Sequence, residues 1–389
     1  MKNINPKKIL KIIAITIGVF LIGIILTYIF EGDIKKYALQ EINKTLKVKV
    51  KIDEKDISFS LFKKFPKASL TFNNFLLEEE NEKDTLLFSK KLSLVFGLGS
   101  VLSENYSVEK INISDAVVNL RVDNQGHPNY FVVKESAEKD TVNTKFNFKL
   151  KEVNFKNVAL NYLDIKGNFE GNLILNKTKF SGDFSEKNSE LNINSKHLIK
   201  NISRDSVVLF QNKKGSLLMN KGDFSSEHIT LKEGSVSIED MEVNFDGSYV
   251  FKNGKTDFNA IASNIEISDI FSLLPNEISE KLQEYSTRGN INGSFNFKKN
   301  KWNPPTISSD FKIKEGVIKE KSTGAELTKL NLEGSFNSSP NSQKLDISKI
   351  TGNVAGGNFS GKGKMIGKNK STIFSSFQGN FDLKELGQF

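Results

Sequence analysis

The three histidines His127, His197 and His228 are the side chains of this 389-residue chain best suited to proton transfer near neutral pH. They stand far apart, and none has a metal-ligand spacing such as HxxxH, so each is expected in a turn or on the surface. No Gly-x-Ser-x-Gly elbow is present to expose a nucleophilic serine. Gly254-Lys255-Thr256 has the end of a phosphate loop, but Tyr249 stands where the first glycine must be. Gly361-Lys362-Gly363 opens like a dinucleotide fingerprint, with Ile366 in place of its third glycine. The acidic run Glu78-Glu79-Glu80-Asn81-Glu82 is not spaced as a calcium loop and reads as a solvated turn. Without cysteine there is no disulfide, thiolate metal site or cysteine lipidation. The residues therefore predict no enzyme, no metal and no cofactor.

If no site does chemistry, the elements carry the function. The apolar run Ile12 to Phe30 follows Lys2, Lys7, Lys8 and Lys11 and precedes Glu31 and Asp33. Its nineteen residues, at about 1.5 Å each, span roughly 28 Å, close to the hydrocarbon thickness of a bilayer. A cleaved signal peptide has a shorter core and a small-x-small site, whereas Thr27-Tyr28-Ile29-Phe30 is bulky. The expectation is an uncleaved single-pass anchor, residues 12–30, with residues 1–11 in the cytoplasm and the remainder outside it. Four of the nine net positive charges are the N-terminal lysines, and the other five are spread along the chain. That distribution argues against nucleic acid and is compatible with anionic headgroups.

Phenylalanine is over-used: 31 Phe against seven Tyr and one Trp, which marks apolar surface meeting neither water nor a hydrogen-bond partner. Ile34 to Leu46 predicts an amphipathic helix within 31–46, followed by a strand Val48–Ile52. Residues 47–389 are dominated by period two, as in Ile57-x-Phe59-x-Leu61, Phe146-x-Phe148-x-Leu150 and Ile291-x-Gly293-x-Phe295-x-Phe297. One apolar and one wet face per strand is the antiparallel pattern. The predicted fold is thus mainly β: a transmembrane helix, then a long, curved, mostly antiparallel sheet forming an elongated groove, with a few short helices. Two of these helices, Asp269–Leu274 and Ile278–Tyr285, are expected on either side of Pro275.

Asn253-Gly254 suggests a two-residue type I′ hairpin, which would pair Tyr249 with Phe258, Gly247 with Ala260 and Phe245 with Ala262. A loose repeat of glycine, a small polar residue and an aromatic runs from Gly167-Asn168-Phe169 to Gly379-Asn380-Phe381. Glycine lets a strand bend, and a cross-strand aromatic can cover the backbone it leaves bare.

The order of anchor, helix and strand leads into Asp56-Ile57-Ser58-Phe59-Ser60-Leu61-Phe62-Lys63-Lys64-Phe65-Pro66-Lys67-Ala68-Ser69-Leu70, then Asp84-Thr85-Leu86-Leu87 and Ile111-Asn112-Ile113. With Gly254-Lys255-Thr256-Asp257-Phe258-Asn259-Ala260 and Gly352-Asn353-Val354-Ala355-Gly356-Gly357-Asn358-Phe359, this resembles the AsmA family as found in Bacteroidetes. The resemblance implies an inner-membrane-anchored periplasmic protein, akin to bridge-like proteins whose repeating β-groove carries phospholipid towards the outer membrane. It also implies that relatives are commonly longer, so the chain is expected to be a short or incomplete member.

The function expected is binding of phospholipid acyl chains in support of lipid transport and outer-membrane biogenesis. The groove candidates are Phe146, Phe148, Leu150, Phe245, Tyr249, Phe258, Phe295, Phe297, Leu332 and Phe336. The expected partners are the inner membrane, phospholipid and envelope proteins of the periplasm or outer membrane. The alternative is a non-catalytic periplasmic scaffold or assembly factor that recruits partners at its strand edges.

Overall fold

The computed structural model describes residues 31–36, 38–40, 42–44, 46–48, 50–64, 67–79, 84–103, 106–132, 134, 146–183, 188–225, 227–273, 276–300, 303–368 and 370–382. The anchor Ile12–Phe30 lies outside them, and among the described residues no helix is long and apolar enough to cross a membrane. The fold is mainly β with few helices, as the alternation predicts. Two compact units divide it, Met1–Ser185 and Glu186–Phe389.

In the first unit the strands are β1 (Val50–Lys51), β2 (Ile57–Lys64), β3 (Lys67–Glu78), β4 (Thr85–Gly97), β5 (Tyr106–Val122), β6 (Phe146–Asp164) and β7 (Phe169–Gly182), with α1 (Leu98–Leu102) between β4 and β5. Among the described residues of the predicted strand Val48–Ile52, β1 keeps Val50 and Lys51. Residues 31–36, 38–40 and 42–44 are helical, and their apolar stripe is the reason they dock. Ile34 and Ala38 are fully buried, with Leu39, Ile42 and Leu46 beside them, against Ile57, Phe59, Leu70, Phe72, Leu92 and Leu94 of β2 to β4. This is a helix layer on a sheet, and each large side chain so buried contributes roughly 1.5–3 kcal/mol.

Strands β5 and β6 pair in parallel, where every other pairing described is antiparallel. A 42-residue offset sets their register, with Asn112 opposite Asn154 and Asn119 opposite Asn161. The same offset joins Ile111-Asn112-Ile113-Ser114-Asp115 to Val153-Asn154-Phe155-Lys156-Asn157, so the two strands carry one motif twice.

The second unit is a run of antiparallel neighbours: β8 (Asn188–Arg204), β9 (Val207–Ser225), β10 (His228–Ile238), β11 (Met241–Val250), β12 (Lys255–Glu266), β13 (Tyr285–Asn300), β14 (Asn303–Glu320), β15 (Glu326–Ser339), β16 (Ser342–Val354), β17 (Gly357–Ile366) and β18 (Thr372–Asn380). Two short helices, α2 (Ile267–Leu273) and α3 (Asn276–Leu282), connect β12 to β13, as predicted around Pro275. Of these, α2 packs on β12 and β13.

The hairpin at Asn253-Gly254 differs from its prediction by two residues. Tyr249 pairs with Thr256, Gly247 with Phe258 and Phe245 with Ala260. The loop holds four residues, Phe251 to Gly254, because the ladder closes at Val250 and Lys255. Gly254 takes the positive φ of 59° at its end, and Asn253 Oδ1 accepts the Lys255 N–H at 3.0 Å. The Phe251 N–H bonds to the Glu227 carbonyl at 2.9 Å, which holds the start of the loop against the residue before β10. A shift of two preserves which residues share a face.

Aromatic rings do cover glycines across the strands. A Cβ on Gly334 would lie 2.6 Å from the Phe311 ring, and one on Gly234 would lie 2.5 Å from Phe245. Gly352 with Phe359 and Gly361 with Phe377 repeat the arrangement. In a strand interior alanine ordinarily stabilises relative to glycine. At Gly334 the order reverses, because the new methyl would also sit 2.8 Å from the Asp346 carbonyl oxygen. Gly334→Ala is expected to lose about 1–3 kcal/mol in chemical denaturation, and a gain in stability would refute this packing account.

Candidate functional site

Side chains alternate along a strand, so the cross-strand register decides which residues share a surface. One row runs through Ile193, Met219, Gly234, Phe245, Ala260, Phe295, Ser309, Phe336, Leu345, Met365 and Ile373, one residue from each strand β8 to β18. A second row joins Gly247, Phe258, Phe297 and Ile307. A third joins Ile265, Ile291, Ile313, Leu332, Ile350, Gly361 and Phe377. The seven candidates Phe245, Tyr249, Phe258, Phe295, Phe297, Leu332 and Phe336 therefore share one apolar face. Phe146, Phe148 and Leu150 belong to β6 of the first unit, where Phe146 pairs with Tyr106 and Phe148 with Val108, and Leu150 is half-buried.

Three bulges keep that face in phase. Each inserts one residue at positive φ: Glu233 at 53°, Asn264 at 56° and Glu315 at 50°. In each, the bulged N–H donates to a side chain on the next strand: Asp246 at 3.0 Å, Asn292 at 3.0 Å and Asn331 at 3.2 Å. The apolar alternation slips by one residue there, from Ala262 to Ile265 and from Ile313 to Gly316.

This face is unevenly covered: Met219 and Ile265 are buried, but most of its aromatics are not. Tyr249 is 39% exposed and Phe295 38%, and the other five candidates are half-buried. Among the described residues both clusters of buried hydrophobic side chains lie in the first unit. The opposite face of the same strands is polar, with Asp246, Asn259, Asn296, Ser308 and Asn337 in one row. An open hollow of about 540 Å³ lies on that polar face, where Asn292, Ser294, Asp310, Lys312, Glu333 and Asp346 line it.

The acidic run needs correction. Glu79 is 5% exposed rather than solvated. Its carboxylate accepts Arg121 Nη2 at 2.7 Å and Asn129 Nδ2 at 2.7 Å. The Asn129 N–H also donates to the Arg121 carbonyl at 2.9 Å and its Oδ1 accepts the Arg121 N–H at 2.8 Å, so it clasps the segment after β5 onto the sheet. Glu78 is half-buried and pairs with Lys51 at 2.7 Å. A hollow of about 440 Å³ beside this cluster is lined by Glu79, Asp84, Asn119, Asn161, Tyr162 and Glu170.

Amide ladders cross the parallel pair on the same side: Asn154 donates to Asn112 at 3.1 Å, Asn157 to Asp115 at 2.7 Å and Asn161 to Asn119 at 2.8 Å. The sequence reading missed them, although the 42-residue recurrence is a visible signal. Next to them Glu152 bridges Lys110 and Lys179. Burial pushes the Glu152 carboxyl up, but hydrogen bonds from Lys110, Asn154 and Lys179 outweigh it and lower the pKa from 4.5 to about 2.

The histidines divide. His127 is exposed beside Asp123 in the turn after β5, as expected, and His228 opens β10. His197 departs from expectation: it lies within β8 opposite Gly215, and burial lowers its pKa. Ser225, His228 and Asp223 are hydrolase residue types in contact, at 3.0 Å and 3.4 Å. Ser225 is 5% exposed, and its oxygen already accepts the N–H groups of Glu227 and His228. Its role is to close the β9–β10 turn.

Comparison with protein-family models, characterised proteins and solved structures finds no match to the chain.

Two outcomes check the polar clusters. Glu79→Ala removes the acceptor that Arg121 and Asn129 share, leaving Arg121 with Asp84 at 3.6 Å and Asn129 with the Asn119 carbonyl at 3.1 Å, and is expected to cost about 1–2 kcal/mol in denaturant titration. Glu152 has a depressed pKa in the folded state, so its contribution is present above pH 4.5 and fades as pH falls towards about 2. Glu152→Gln should flatten the acid limb of stability against pH over that window, and an unchanged slope would reject the bridge.

Proposed function

We propose that the protein binds the acyl chains of phospholipid on the apolar face of β8–β18. The single observation that carries this reading is the continuity of that face across eleven strands while its aromatics stay half-exposed. A monomeric soluble protein rarely leaves so extended an apolar surface open unless something binds there. Acyl chains fit, because each buried methylene contributes about 0.8 kcal/mol and needs no hydrogen-bond partner. Headgroups would stay in solvent at the margin of the strip, and no covalent step is involved.

The reading extends to an AsmA-like protein anchored in the inner membrane by Ile12–Phe30, with its bulk in the periplasm, serving lipid transport and outer-membrane biogenesis. Support for that extension is the quoted motifs and the lysine-flanked run. In this reading the seven residues Phe245, Tyr249, Phe258, Phe295, Phe297, Leu332 and Phe336 of the second unit contact the acyl chain, and Phe146, Phe148 and Leu150 remain candidates in the first unit.

The test is lipid mass spectrometry on full-length protein extracted in detergent. Phospholipid should co-purify with the wild type, and Phe297→Glu should remove most of it while circular dichroism still reports strand. Phe297 is half-buried on the open face, so a carboxylate there faces the ligand surface. Absence of lipid from the wild type, with an envelope protein crosslinked instead, would favour the scaffold.

A further inference from the structure

The expectation that the five net charges beyond the N-terminal lysines are spread along the chain does not hold. Residues 303–370 contain eleven lysines, no arginine and six carboxylates, whereas residues 31–302 nearly balance, with 39 basic against 38 acidic side chains. The surplus gathers on β14 to β17 and their turns. Register places Lys312, Lys314, Lys344, Lys349, Lys362 and Lys364 together on the polar face of these strands.

Two rows of polar side chains cross the strands there. One runs through Asn292, Lys312, Glu333 and Lys349, and the next through Ser294, Asp310, Ser335, Asp346 and Lys364. Members of both rows line the hollow of about 540 Å³. Lys312 pairs with Glu333, and Lys344 with Asp346. A hydrogen bond from Lys312 and the charges of Lys312, Lys349 and Lys314 hold the Glu333 carboxyl below its ordinary pKa. Lys314, Lys349, Lys362 and Lys364 have no carboxylate at ion-pair distance among the described residues.

This surface selects for more than negative charge. Asp310, Glu333 and Asp346 stand among the lysines, and at close approach they repel the phosphates of a nucleic acid or a lipid headgroup. Arginine, whose planar fork grips phosphate bidentately, is missing from residues 303–370. From β13 to β17 the described residues of this face include no aromatic ring on which a base could stack. Carboxylates do accept hydrogen bonds from hydroxyl groups, and the Asn and Ser side chains beside them both donate and accept. Hydroxyls and anionic groups repeat together along an anionic polysaccharide. An extended sugar chain laid along the rows meets a polar side chain on each strand, about 4.8 Å apart.

We propose that the polar face of β13–β17 around this hollow binds an anionic polysaccharide, with Lys349 and Lys364 holding its carboxylate groups and Asp310 and Asn292 its hydroxyls. The proposal does not rest on lipid binding, since it uses the opposite face of the sheet.

The test is calorimetric titration of the full-length protein in detergent with oligogalacturonate, in which every sugar carries a carboxylate. Heat of binding should be measurable, and the methyl-esterified oligomer, which loses the charge, should bind about tenfold more weakly. Lys349→Glu should weaken oligogalacturonate by about tenfold as well. Asp310→Ala separates hydroxyl recognition from charge alone. Loss of a hydroxyl acceptor should weaken the sugar about tenfold, whereas removal of a negative charge from a purely electrostatic surface would strengthen binding. Asp310 is exposed, with Ser294 donating to it at 3.4 Å, so the strands should persist in this variant, which dichroism checks. Absence of oligogalacturonate binding, inorganic polyphosphate or duplex DNA bound as tightly, or a tighter complex with Asp310→Ala would overturn the proposal.

Discussion

The bond on which the second unit depends is the one from a bulged backbone N–H to an Asx side chain on the next strand. Strands of this length accumulate twist, and bulges relieve it by bending the chain. A bulge also moves every later side chain to the other face, unless the sequence slips by one residue at the same place. Glu233, Asn264 and Glu315 sit at these slips, each in a positive-φ conformation that costs of order 1 kcal/mol for a non-glycine residue. Asp246, Asn292 and Asn331 offset that cost by accepting the N–H that the ladder leaves over. Without this compensation Ile265 and Ile291 could not follow Ala262 and Gly293 on the same face.

The two units solve one problem in two ways. Alternation gives each strand an apolar face that must leave water. In the first unit Ile34, Ala38 and their helical neighbours supply a cover, and Phe72 and Phe96 become fully buried. In the second, the rows through Phe245 and Phe258 stay half-open, and helix α2 packs on β12 and β13. Similar sequence patterns thus end in a closed core and in an open surface. The difference lies in whether an amphipathic helix is at hand, not in the strands.

Period two was enough to indicate a mainly β fold, and its interruption marked two short helices near Pro275, which run Ile267–Leu273 and Asn276–Leu282 rather than Asp269–Leu274 and Ile278–Tyr285. It could not fix register, because Asn253-Gly254 fits both a two-residue and a four-residue loop. The tertiary bond from Phe251 to Glu227 decides between them, and no local signal carries it. Glu79 escaped for a similar reason: its partners Arg121 and Asn129 lie 42 and 50 residues away. The parallel pairing of β5 and β6 was legible in principle, since the Asn112 and Asn154 motifs recur at one spacing. The bulges hide as breaks in alternation, which look like ordinary irregularity until a neighbouring Asx is seen to accept the spare N–H.

The excess of phenylalanine over tyrosine and tryptophan follows from the glycine contacts. A ring laid on a neighbouring glycine, as Phe311 on Gly334 or Phe245 on Gly234, presses against bare backbone. Such a ring is held without a second layer above it, and stacking between strands adds to this, as for Phe245 with Phe258 at 5.8 Å. A phenolic hydroxyl or an indole N–H needs a partner, which the exposed Tyr249 can find in water, so where the ring lies flat on the sheet the unadorned one fits. Glycine and phenylalanine together make a sheet surface that is largely apolar, with Tyr249, Thr256 and Ser309 as hydroxyl-bearing exceptions. What can lie along it is selected by the same rule: a molecule with a long stretch of surface that asks for no hydrogen bond in return.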